Sequence, residues 1–365
     1  MRAATMLLVT LLAGYFMQAQ ASLASSNSAC LTATHDCTEW VALDGGPARS
    51  LIYRSYSLDK RNDAIHQALV IIHGARRNAD HYFNTAIASA FLAGTTEDTV
   101  VISPRIASSN PEDSDCSDKL DSNEVNWSCE GDSWRSGGSS TSHPHLTSFD
   151  LIDQILRKLA NKAVFPNLTK IVIAGHSAGG QFVMRYQMAN RVHDLLGVPI
   201  TYIVSNPSSY AWPVSARPMP YDDAAPDNAK EAWNSEEVHT QFSYNIFDAT
   251  SCADYDEWPY GLKNRIGGYT AKTSNDQLKK QLVSRPMIYL LSQVDVLPLG
   301  GFDSSCAAMA QGPTRRSRGE AYVKYMNERL GAKHGVQIIS ECGHNDRCVF
   351  TSDEVLPVIF PKVVV

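Results

Sequence analysis

The sequence predicts an α/β fold, a mainly parallel sheet flanked by helices on both faces. Three observations point there. Several short runs are apolar almost throughout, at 68–72, 99–102, 170–174 and 200–204; a strand without polar alternation is covered on both sides. These runs alternate with stretches whose apolar residues recur at helical spacing. Finally, Ile-Val-Ile-Ala-Gly-His-Ser-Ala-Gly-Gly at 171–180 carries a β-branched run into a turn of small residues and out into a helix-permissive stretch.

Residues 49–56 read as an early strand and 68–72 as the next, ending in His73-Gly74. A helix is expected over about 78–93, with Tyr82, Phe83, Ile87 and Ala90 on one stripe. Strand 99–102 follows, closed by Ser103-Pro104. Beyond an insertion at 105–147, Ser148 is the expected cap of a helix whose apolar face is Leu151, Ile152, Ile155, Leu156 and Leu159. Strand 170–174 then leads through the turn into a helix expected to reach about His193. Strands 200–204 and 286–291 bracket a second insertion, 206–285. Helix 315–330, strand 336–339 and a final helix near 349–359 complete the run. Ligands of such sheets bind outside the carboxyl ends of the strands. His73-Gly74, Ser177, Asp295 and His344 all fall just after strands.

Residues 1–21 stand apart. Arg2, the apolar run 6–17 and Ala19-Gln20-Ala21 match a secretory signal peptide, with cleavage expected after Ala21 or else after Ala24. The apolar run is too short to span a bilayer comfortably. Residues 363–365 lack the spacer and tail of a lipid-anchor signal. The remaining stretch of about 340 residues suits one large domain, 22–365, carrying both insertions. Acids outnumber bases 38 to 32, a formal charge of −6. This excess argues against nucleic acid or an anionic membrane as partner. The expectation is a secreted protein without stable membrane insertion.

Eight cysteines, Cys30, Cys37, Cys116, Cys129, Cys252, Cys306, Cys342 and Cys348, follow the leader. An even count in an exported chain favours disulfides over metal thiolates, and no Cys-x-x-Cys occurs. Connectivity is open from sequence alone; proximity favours Cys30–Cys37, Cys116–Cys129 and Cys342–Cys348, leaving Cys252–Cys306. Asn126-Trp-Ser and Asn167-Leu-Thr are glycosylation sequons if the host is eukaryotic.

The 175–179 turn has the strand–turn–helix context of a nucleophile elbow, with Ser177 at its tip. A serine hydroxyl needs a base to take its proton, and that base is usually a histidine oriented by a carboxylate. On this architecture the chain order is Ser, acid, His. Of the 11 histidines, His193, His239, His334 and His344 follow Ser177. His193 lies at the end of the helix leaving the elbow, His239 precedes the only well-placed acid, and His334 precedes the last strand. His344 follows that strand directly and is the expected base. Asp295, after strand 286–291, is the expected acid, with Asp303 second. The oxyanion donors are expected to be the amide of Ala178 and that of Ala75, with Arg76 close behind; His73 is read as shaping that loop.

These residues resemble the α/β-hydrolase superfamily over essentially the whole mature chain, and the chain is similar to secreted serine esterases of that fold. The resemblance implies an acyl-enzyme mechanism through Ser177 and no cofactor. Ile72-His-Gly-Ala-Arg-Arg-Asn-Ala-Asp, residues 175–185 and Asn206-Pro-Ser-Ser-Tyr look like a group of poorly characterised hydrolases, which supplies no substrate. The oxyanion loop departs from the pattern in lacking a Gly-Gly-Gly run.

The first insertion holds eight acids and one base between Glu112 and Asp132. Residues 113–124 place oxygen ligands at most positions of a calcium loop but lack its mid-loop glycine and flanking helices. A solvated acidic loop pinned by Cys116–Cys129 is the expectation, His143-Pro-His145 is read as a turn, and no metal site is expected. The second insertion is rich in aromatics (Tyr210, Trp212, Trp233, Trp258, Tyr260), which could line a substrate site or form the core of a lid. Arg315-Arg316-Ser-Arg318 is read as the solvated start of a helix. The combined expectation is a secreted hydrolase of small or polymeric carboxylic esters. A peptidase or amidase, a polyester or lipid hydrolase, and an inactive binding module are the rivals.

Overall fold

The computed structural model describes residues 28–112, 116–129, 133–220, 242–250, 252–265 and 267–361. The leader with its cleavage sites, Trp233 and His239 lie outside them. The elements run β1 (Thr38–Ala42), β2 (Arg49–Arg54), β3 (Gln67–Ile72), α1 (Ala79–Ala93), β4 (Thr99–Pro104), α2 (Ser148–Leu159), β5 (Lys170–His176), α3 (Ala178–Ala189) and β6 (Ile200–Ser205). They continue through β7 (Ala216–Pro220), β8 (Phe242–Ile246), α4 (Asn275–Ser284), β9 (Met287–Ser292), α5 (Cys306–Met309), α6 (Arg315–Leu330), β10 (Gly335–Ile339), α7 (Asp346–Phe350) and α8 (Leu356–Ile359).

Eight strands form one sheet in the order β1-β2-β4-β3-β5-β6-β9-β10. The β1–β2 and β2–β4 pairs are antiparallel and every later pair is parallel. Alternate residues of the central strands feed two cores. Val70, Ile72, Ile171, Ile173, Val204 and Leu291 face α2, α3, α4 and α6. Leu69, Ile71, Val172, Ala174, Ile203 and Leu290 face α1, α7 and α8. This double coverage is what the unbroken apolar runs require. β10 closes the sheet as an edge strand, and its first two residues are exposed. No helix among the described residues is long and apolar enough to cross a membrane.

Several local expectations are corrected. Thr147, not Ser148, caps α2: its side chain accepts the Asp150 N–H while Asp150 accepts that of Thr147, a reciprocal box that Ser148 cannot make. α3 stops at Ala189, because the Asn190 side chain accepts the Val192 and His193 amides and turns the chain. The final helix is two short ones, α7 and α8, with Pro357 in the first turn of α8, where its missing N–H costs nothing. β1, the antiparallel β7–β8 pair and α4 carry no clear local signal in the sequence, although Leu278 and Leu282 of α4 are fully buried.

The cysteines are joined as Cys30–Cys37, Cys116–Cys129, Cys252–Cys306 and Cys342–Cys348. The first insertion is anchored by buried Trp127 and Trp134. Two of its acids are less solvated than expected. Asp118 lies near both Arg77 and Arg105, and Glu124 pairs with Arg105 at 3.2 Å. In the second insertion, Tyr210 and Trp212 are fully buried against Tyr322 of α6, so these two aromatics are core. Of the sequon residues, Asn126 spends its amide on both backbone groups of Ser109, whereas Asn167 is exposed and donates from Nδ2 to Asp63 O at 2.8 Å.

Candidate active site

Ser177 sits between the end of β5 and the start of α3 with φ 58° and ψ −121°. A positive φ in a non-glycine residue costs on the order of 1–3 kcal/mol, so the surroundings must enforce it. They do so by close approach. A Cβ on Gly179 would come within 2.7 Å of the His73 carbonyl and closer still to that of Ile72. Only glycine lets the first turn of α3 press on the end of β3. The Ser177 N–H donates to Ser205 O at 2.9 Å, fixing the turn to β6.

Three loops bring the expected triad together. Ser177 Oγ lies 2.9 Å from His344 Nε2, and His344 Nδ1 lies 2.7 Å from Asp295 Oδ2. With Nδ1 donating to the carboxylate, Nε2 is left to accept the serine proton. Asp295 is 2 % exposed, while Ser177 at 8 % remains within reach of a ligand. The acid's take-off is set by Asn206, whose side chain bonds both the Ser292 amide and its hydroxyl. Cys342–Cys348 brackets His344. Asp303 is engaged elsewhere, accepting from the Tyr260 hydroxyl at 2.9 Å. His193 bonds Tyr202, and His334 bonds the carbonyl of Leu282.

As the first residue of α3, Ala178 presents an amide with no intrahelical acceptor. Ala75 is exposed in the turn after β3, which Arg77 N–H closes onto Gly74 O at 3.1 Å. His73 shapes that turn. Its Nδ1 donates to Gly74 O at 2.9 Å, and its Nε2 accepts from the Ile106 amide at 3.2 Å. Burial holds its basicity down, to a pKa of about 4, so this neutral tautomer persists. The Tyr82 hydroxyl packs against Gly74, where a Cβ would come within 2.8 Å of it.

Residues not anticipated from sequence complete the surroundings. His176 packs its ring 4.6 Å from that of His344. Burial, then His344, then Arg315 push its pKa well down. Among the described residues its Nε2 has no hydrogen-bond partner. The basic triplet is the plainest correction: Arg315 and Arg318 are fully buried, and Arg316 nearly so. Arg318 donates to the carbonyls of Gly312, Ser208 and Asp303, while Arg315 reaches Asp295. A run of arginines at a helix start reads as solvent-facing because nothing local shows its distant acceptors.

Among the described residues, one grouping has metal-ligand spacing, Cys252, Asp254 and Cys306. Its two sulfurs are bonded to each other and offer no thiolate. In the calcium-like loop, Asp118 and Glu124 already face guanidinium groups.

The alpha/beta hydrolase family profile matches residues 69–356, and the chain belongs to that family. A search of curated proteins finds no sequence match. Among solved structures, poly(aspartic acid) hydrolase-1 from Sphingomonas sp. KT-1 is similar at 20% identity and TM-score 0.56, covering 88% of this chain and 98% of that one. LpqC, a poly(3-hydroxybutyrate) depolymerase from Bordetella parapertussis, is similar at 18% identity and TM-score 0.53, with 84% and 82% covered. At these identities the likeness is one of fold.

Proposed function

We propose that this protein is a secreted serine hydrolase that cleaves carboxylic esters through an acyl-enzyme. The reading rests on one observation above all, the continuous pair of hydrogen bonds from Ser177 Oγ through His344 to Asp295. Ser177 Oγ attacks the ester carbonyl as its proton passes to His344 Nε2. Asp295 holds Nδ1–H and offsets the imidazolium that forms. The amides of Ala178 and Ala75 receive the developing oxyanion, a contribution of about 3–4 kcal/mol per donor at comparable sites. Collapse expels the alcohol, protonated by His344. Water then attacks the acyl-enzyme with His344 again as base, and the acid product leaves.

Ester rather than amide cleavage is favoured because an alcohol oxygen leaves the tetrahedral intermediate with less proton transfer than an amide nitrogen, which must be protonated before it can depart. Val294, Leu297 and Leu299 are exposed on the loop that carries Asp295, which suits an apolar acyl or polymer segment beside the triad. Export is supported by the leader pattern and by four disulfides. Labelling with a fluorophosphonate, and its loss in Ser177→Ala, tests the nucleophile; label that survives the substitution overturns the reading. Rates on p-nitrophenyl esters of graded chain length, set against peptide anilides, test the substrate class. Faster anilide cleavage would reassign the enzyme as an amidase.

A further inference from the structure

Arg315 opens α6 with a side chain wholly excluded from solvent. Its guanidinium is shared among three partners. Nε donates to Ser208 Oγ at 2.9 Å, one terminal nitrogen donates to Gly300 O at 2.9 Å, and the other lies 3.4 Å from Asp295 Oδ1. Asp295 is thus gripped on both oxygens, by His344 on Oδ2 and Arg315 on Oδ1. Among the described residues this carboxylate is the only anionic partner of Arg315, and a buried guanidinium is costly without one. Gly300 also lies against the base: a Cβ there would come within 3.1 Å of His344 Cδ2. One side chain therefore touches the acid, the backbone that walls the imidazole, and the segment after β6.

We infer that Arg315 is a positioning residue of the triad, its charge offsetting that of Asp295 and its hydrogen bonds pressing the 295–300 loop onto His344. The inference rests on the serine-hydrolase reading. A cation beside the carboxylate opposes an imidazolium at 344; without it, the imidazolium feels the carboxylate undiminished. The titratable groups around His344 and its neighbour His176 leave this balance to Arg315. His176 is kept neutral by burial, by His344 and by Arg315 itself. Tyr82 is kept protonated by burial. Asp346 is engaged by His81 and Thr85 of α1.

The test is the titration of the His344 ring, followed by NMR in the wild type, Arg315→Gln and Arg315→Lys, together with kcat/KM against pH on a p-nitrophenyl ester. In Arg315→Gln the ring should titrate about one pH unit higher, and the acidic limb of kcat/KM should move with it. Arg315→Lys should keep the wild-type midpoint but lose about tenfold in kcat/KM, because an ammonium keeps the charge without the planar fork. An unmoved midpoint in folded Arg315→Gln, or an equal shift in both variants, overturns the electrostatic role. Undiminished kcat/KM in Arg315→Lys overturns the positional one. If Arg315→Gln does not fold, Ser208→Ala takes its place, compared with Gly301→Ala as a control for the Ser208 Oγ–Gly301 O contact at 3.3 Å that it also removes; Ser208→Ala frees Nε and keeps the charge. Lower kcat/KM at an unchanged midpoint then supports the inference, and unchanged kcat/KM overturns it. The NMR midpoint needs no turnover, so failure of wild-type labelling would count against the serine-hydrolase reading alone.

Discussion

The loop after β9 delivers Asp295 by buried polar contacts, whereas the loop after β10 delivers His344 by a covalent bridge and a partly exposed ion pair. On the acid side, Asn206, Ser208, Arg315 and Arg318 tie the loop to the segment after β6. On the base side, Cys342–Cys348 closes a short ring around His344, and His81 of α1 holds Asp346 at 2.9 Å. Each anchor fails in its own way. Buried polar contacts are costly to break singly, because each loss strands a desolvated partner. A disulfide acts mainly by limiting the unfolded chain, and a reductant can remove it.

The largest effect should come from Arg318→Met. It leaves the carbonyls of Gly312, Ser208 and Asp303 without a donor, and stranded buried acceptors cost about 1–3 kcal/mol each. A urea midpoint corresponding to a loss of about 3 kcal/mol or more is expected; a loss below about 1 kcal/mol would break the contrast between the loops.

Asp153 extends the buried side of the comparison to pH. Its carboxylate accepts from the hydroxyls of Tyr186 and Tyr269 at 2.6 and 2.7 Å, tying the second insertion to α2 and α3. Burial raises its pKa from 3.8 to about 6, against the lowering effect of those two hydrogen bonds. A carboxyl raised in the folded state stabilises it fully below 3.8 and loses that contribution as pH rises through about 6. The wild type should therefore lose about 3 kcal/mol relative to Asp153→Asn between pH 3.5 and 6.5. Parallel stability curves for the two proteins would refute this.

On the base side, Cys342→Ser with Cys348→Ser should lower stability by about 2 kcal/mol, as expected for so short a ring. It should also depress kcat/KM, since His344 lies inside the ring. Dithiothreitol should then have no further effect on this variant through that bridge; equal kcat/KM in variant and wild type would show that the bridge does not set the register of His344. The smallest effect belongs to His81→Ala. The His81 side chain is 45 % exposed, and such pairs contribute about 0–1 kcal/mol, so a Tm change beyond about 3 °C would be a surprise.

What could be read beforehand follows the same division. The meeting of Ser177, Asp295 and His344 was legible because each lies in a turn shortly after a strand, and strand ends are marked by short-range pattern. The helix at 315–330 was legible end to end, yet the environment of its first turn was not. Arg318 finds an acceptor at Ser208, 110 positions away, and no local signal carries that distance. β1 escaped because Thr38–Ala42 is short and only one of its residues is buried. The break between α7 and α8 is signalled by Pro357 in the first turn of α8, but the apolar spacing around it runs on as if one helix continued.

The bridge from Cys252 to Cys306 has a consequence for engineering. It fastens the second insertion to α5, within the same stretch that runs from Asp295 to Arg315. Exchanging that segment as a cassette, in order to graft a new specificity from another hydrolase, would cut a crosslink on the acid's own loop. A successful chimera must keep both sulfurs or supply a substitute tether at position 306.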